Sequence, residues 1–160
     1  MAQVLRDLES YVVRRFICGE TTKGYTRIFI SKLLADLAQA GSYSAADLRT
    51  AMQSLKGESQ YWLDDDTFHR AWCNRALYRG RNSTQVRALL EALEFSLNAD
   101  GKQEFNPLLE SNLTVEHVMP QKWQTHWPLA TSGKNNGTSE NEAIARRERL
   151  LQSVGNLTLV

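Results

Sequence analysis

Leu113-Thr-Val-Glu-His-Val-Met-Pro-Gln121 is the stretch from which the rest of the chain is read. Its β-branched and apolar residues favour an extended strand, and Pro120, which has no amide hydrogen to donate, stops that strand at once. The stretch therefore predicts a short strand that delivers the adjacent pair Glu116-His117 to its end. A carboxylate can hold a hard divalent cation through oxygen, and a neutral imidazole can take a proton from water near physiological pH. A strand histidine in isolation is most simply a hydrogen-bonded structural residue. The acid beside it, the immediate turn and a second strand downstream give His117 a chemical reading instead.

That second strand is Asn156 to Val160 in Gly155-Asn-Leu-Thr-Leu-Val160. Between the two, residues 129 to 141 are rich in Gly, Asn, Ser and Thr and predict an exposed, mobile loop. Ser139-Glu-Asn-Glu142 has the spacing of a capping box, and Ala143, Ile144, Arg147, Leu150, Leu151 and Val154 then follow a helical period up to Gly155.

Upstream the period is helical throughout. Val4, Leu5, Leu8, Tyr11, Val12 and Phe16 predict a first amphipathic helix ended by Gly19, and Tyr25, Ile28, Phe29, Leu33, Leu34 and Leu37 a second ended by Gly41. Ser44 and Asp47 offer a cap and a first-turn acid to a third helix that runs to Gly57. Asp64, Asp65 and Asp66 cap and charge-match a fourth, carrying Phe68, Trp72, Ala76 and Leu77 toward Gly80; consecutive acids fan around a helix start, which argues against a metal site there. A fifth begins near Asn82 or Ser83 and runs through Val86, Leu89, Leu90, Leu93 and Leu97. Five such faces need one another, so the expected fold is mainly α, with a helical bundle over residues 1–105 and a small strand-and-helix unit over 106–160.

Composition says less. With 160 residues, 42% hydrophobic content and a net charge of +1, the chain has no global basicity to announce a nucleic acid, although a local basic stripe can still neutralise phosphates. Cys18 and Cys73 form no Cys-x-x-Cys pair and are expected to be reduced. No export signal and no apolar run of membrane-spanning length stand in the sequence, so a cytoplasmic protein with no membrane partner is expected.

Thr114-Val-Glu-His-Val-Met-Pro-Gln121, Trp123 and Gly155-Asn-Leu-Thr-Leu159, in that order, resemble the C-terminal domain of GmrSD-type restriction endonucleases, a branch of the HNH or His-Me finger nucleases. Leu8-Glu-Ser-Tyr-Val-Val-Arg-Arg-Phe-Ile-Cys-Gly19 and Thr22-Lys-Gly-Tyr-Thr-Arg-Ile-Phe29 are similar to the helical part that precedes the finger, so the resemblance covers nearly the whole chain. It implies a ββα-metal (HNH-like) finger after the bundle and a metal-dependent DNA endonuclease of a restriction or phage-defence system. His117 stands where such fingers place the general base, Glu116 where they place a ligand to a divalent metal, Mg²⁺ first and Mn²⁺ second, and Asn156 where a supporting Asn braces the loop of the catalytic group. In the family a further helix after the second strand donates another ligand. The sequence stops at Val160, so the finger is expected to be incomplete and this chain alone to cut little or not at all. The family also pairs this domain with an N-terminal nucleotide-hydrolysing domain or subunit, for which no phosphate-cradling Gly-rich loop is present here.

Arg146, Arg147 and Arg149 lie on the helix between the strands, where they could meet DNA phosphates or simply form a solvated face with Glu142 and Glu148. His69 and His126 lack a partner at ligand spacing and are read as structural or surface residues, and Trp123 and Trp127 as packing residues. Two other functions compete with the nuclease. One is a non-catalytic helical module that binds DNA or protein. The other, a zinc-stabilised finger, is disfavoured because neither Cys is near His117 in sequence.

Overall fold

The computed structural model describes residues 1–57, 60–78, 82–98, 113–129 and 139–160. The chain is mainly helical, as expected. It divides into two compact units, Met1–Trp72 and Cys73–Val160. The boundary expected near residue 105 and most of the Gly- and Asn-rich loop fall outside the described residues.

The first unit opens with α1 (Ala2–Cys18), closed by Gly19 at φ 76°. That left-handed geometry is cheap only without a Cβ, and the cap amide donates back into the last turn. The second predicted helix is present with one difference. Arg27–Lys32 is a wide π-helical turn running directly into α2 (Leu33–Ala40). The buried residues Ile28 and Leu33 are five apart, a step that a regular α-helix would rotate to different sides. Bonding from i to i+5 widens the turn and brings both onto the face that packs on Tyr11.

Ser44 caps α3 (Ala45–Gln53) by accepting from the Asp47 amide at 3.2 Å. Asp64 does the same for α4 (Asp65–Asn74), accepting from the Thr67 amide at 2.7 Å, so the acidic run serves the helix start as predicted. Tyr11, Ile28, Leu33, Met52 and Leu55 form the buried core, with Leu8, Tyr25, Phe29, Leu48 and Trp62 against it. The Tyr11 hydroxyl, sealed inside, donates to the Gln60 carbonyl at 2.8 Å, and burial pushes its pKa up.

The second unit holds α5 (Ser83–Asn98), β1 (Val115–His117), α6 (Trp123–His126), α7 (Glu140–Leu151), a 3-10 turn (Val154–Asn156) and β2 (Leu157–Leu159). The strands pair antiparallel with Val115 opposite Leu159, Glu116 opposite Thr158 and His117 opposite Leu157. Backbone bonds extend the ladder at both ends, Thr114 to Val160 and Val118 to Asn156. Helix α5 packs on both strands and buries Val86 completely. The capping box of α7 is formed in full: Ser139 Oγ accepts from the Glu142 amide, and the Glu142 carboxylate accepts from the Ser139 amide. Short α6 is an element that residue patterning did not anticipate. Its Trp123 is buried, donates from Nε1 to Glu148 Oε1 at 3.0 Å and so ties α6 to α7.

Candidate active site

Strand β1 is three residues long, and the turn beyond it is fixed by one side chain. Asn156 is buried, and its Oδ1 accepts from the Met119 amide at 2.7 Å. Its Nδ2 donates to the Met119 carbonyl at 3.2 Å and to the Leu151 carbonyl at 2.9 Å. The amide side chain therefore stands in for a strand neighbour at the point where Pro120 has ended the ladder, and it also joins that turn to the end of α7. Buried backbone groups left unpaired at such a point would be costly.

His117 is held in the same corner. Its Nε2 lies 3.0 Å from Gln152 Oε1, and its Nδ1 lies 3.4 Å from Gln121 Nε2. The ring of Tyr78 meets the imidazole edge to face, with centroids 5.4 Å apart and planes at 79°. Gln152 is the residue that ends α7, and its own carbonyl accepts from the amides of Leu77 and Tyr78 at 2.8 and 3.2 Å. One residue thus binds the imidazole with its side chain and the neighbouring aromatic with its backbone. Neither Gln152 nor Tyr78 was singled out in the sequence. No spacing rule marks a glutamine one position beyond a helix, and its partner is 35 residues away.

Glu116 is placed differently. Opposite Thr158 in the ladder, it shares with His117 the neighbour Tyr78, whose ring meets the imidazole. It is exposed and lines a groove of about 590 Å³ with Tyr78, Ser83, Arg87, Glu91 and Thr114. An exposed carboxylate is a suitable hard donor for Mg²⁺ or Mn²⁺. Among the described residues, however, no group of three His, Cys, Asp or Glu side chains stands close enough to hold an ion. The described donors do not amount to a metal shell of their own.

The three arginines of α7 separate. Arg147 is half-buried, donates to the Trp127 carbonyl and stands over the Trp123 ring with 5.0 Å from guanidinium carbon to centroid. Arg146 and Arg149 are exposed, and three residues apart they share one side of the helix. His69 and His126 are both exposed. Cys18 is half-buried and Cys73 exposed, and neither is in a disulfide.

A model of the C-terminal domain of GmrSD restriction endonucleases matches residues 62–160. The match takes in Glu116-His117, Gln152 and the Gly155–Val160 strand, and leaves Leu8–Gly19 and Thr22–Phe29 outside it. Comparison with curated proteins and with solved structures finds no match. With well over half its length covered by that one model, and the residues of the corner just described inside the match, the chain belongs to the GmrSD restriction endonuclease C-terminal domain family.

Proposed function

We propose that this chain carries the hydrolytic site of a metal-dependent DNA endonuclease, an HNH-like finger built from β1, α7 and β2, with His117 as general base. The observation that carries the reading is the placement of His117 at the last residue of a strand, clasped by Gln152 and Tyr78, with the turn beyond it locked by Asn156. An imidazole held in one orientation can accept a proton from a water as that water's oxygen bonds to phosphorus and the bond to the 3′ oxygen breaks. Asn156 acts through the backbone, by holding the turn. Arg146 and Arg149 are the proposed phosphate contacts, and Arg147 the tie that keeps α6 on α7. Glu116 is the proposed protein donor to a divalent ion, which when bound supplies charge stabilisation at the phosphate and the departing oxygen. Since no three-ligand cluster stands around Glu116 among the described residues, these 160 residues alone are expected to cut weakly or not at all, and an N-terminal nucleotide-hydrolysing domain or subunit is the proposed partner.

The test is nicking of supercoiled plasmid by the natural gene product in Mg²⁺ or Mn²⁺. His117→Ala should lower the rate by roughly 100-fold or more, the usual contribution of a general base. Undiminished cutting by that variant would remove the assignment. A second reading, a module that binds DNA or protein without cutting, is favoured by the lack of a three-ligand cluster among the described residues. Plasmid retention at low salt with no nicking under either metal would select it.

A further inference from the structure

We infer that Gln152 is a positioning residue that sets the tautomer of His117, holding the proton on Nε2 and leaving Nδ1 as the basic nitrogen; the catalytic consequence rests on the general-base reading above. A neutral imidazole carries one N–H, so two amide side chains facing its two nitrogens must meet it in opposite senses, one accepting and one donating. Gln152 Oε1 at 3.0 Å from Nε2 takes the accepting role, and Gln121 Nε2 at 3.4 Å from Nδ1 the donating one. The two contacts are unequal. Gln152 is half-buried and its main chain is fixed by the Leu77 and Tyr78 amides, whereas Gln121 is exposed and its contact is long. The strong partner therefore fixes Nε2–H, and the weak one can yield Nδ1 to a water.

Ring orientation is secured by the same residue. A half-turn of the imidazole about its Cβ–Cγ bond would exchange nitrogen and carbon positions and set a ring carbon against Gln152 Oε1, losing that hydrogen bond, while the edge-to-face contact with Tyr78 holds the plane of the ring. Tyr78 is held by its backbone N–H, which donates to the Gln152 carbonyl. A neutral amide at this position orients the imidazole without adding a charge to it, in contrast to the carboxylate that orients many catalytic and metal-binding histidines.

The decisive measurement is ¹⁵N NMR of the His117 ring in the neutral imidazole form, on the chain as it stands. The wild type should show the Nε2–H tautomer dominant. Gln152→Ala removes the acceptor but keeps the backbone carbonyl that binds Leu77 and Tyr78, and should give a mixture of tautomers. Gln152→Glu restores an acceptor oxygen at the same reach and should return the Nε2–H form. A dominant Nδ1–H signal in the wild type, or an unchanged spectrum in Gln152→Ala with its other amide resonances in place, overturns the proposal. In the natural gene product Gln152→Ala should lower kcat roughly fivefold with KM unchanged, the scale of one hydrogen bond expressed as a rate. Shifted tautomers with an unchanged rate would uphold the role of Gln152 in setting the tautomer and remove the general-base reading instead.

Discussion

Asn156 makes three hydrogen bonds to backbone groups: the Met119 amide, the Met119 carbonyl and the Leu151 carbonyl. Asn156→Ala should therefore cost about 3 kcal/mol, because it strands both ends of a turn residue as well as a helix-end carbonyl. Urea unfolding followed by circular dichroism would measure it, and a loss under about 1 kcal/mol would mean that water replaces the side chain. His117 illustrates how far residue identity reaches. Its place beside Glu116 at a strand end before Pro120, on which the general-base proposal rests, is readable locally. Its partners are not, since Gln152 and Tyr78 reach it from 35 residues after and 39 before in the sequence.

Helix ends were legible because capping is local chemistry. Ser44 and Asp47, Asp64 and Thr67, and Ser139 and Glu142 all form the bonds that their three-residue spacing predicts. Asp47 also accepts from the hydroxyls of Ser42 and Ser44, and these bonds hold its carboxyl below the ordinary carboxylate range. A depressed folded-state pKa contributes stability that is present above the unfolded carboxylate pKa and is lost as pH falls through the folded value. Asp47→Asn should therefore lower Tm at neutral pH, and the difference from wild type should shrink at the acid end. Thermal melts of both proteins from neutral to acid pH check this, and a constant difference would show that the carboxylate is not the source. The π turn before α2 was less legible. The five-residue step from Ile28 to Leu33 is its signature, but the apolar residues around it, Phe29, Leu34 and Leu37, also satisfy a regular helix.

The core cluster around Met52 and Tyr11 lies in Met1–Trp72, while Val86, Trp123 and Leu157 are buried in Cys73–Val160. Met52 is completely buried, so Met52→Ala leaves a cavity expected to cost about 3 kcal/mol. Gln152, Gln121 and Tyr78, the side chains that meet the His117 imidazole, lie within Cys73–Val160. The imidazole signals of His117 should accordingly stay where they are in Met52→Ala while the denaturation midpoint falls. Movement of those signals would place the first core in control of the site. Among the described residues no helix is long and apolar enough to cross a membrane.

The helical period, the capped helix starts, the two short strands and the adjacency of Glu116 and His117 were legible in the chain, because each depends on residues within a few positions of one another. Folding alone settles that α6 is tied to α7, that α5 packs on the strands and that Gln152 meets the imidazole. Those facts depend on antiparallel pairing that sets His117 opposite Leu157 and so brings the end of α7 to the end of β1. Such a contact has no local energetic signature, since its stability comes from chain segments that meet only after folding.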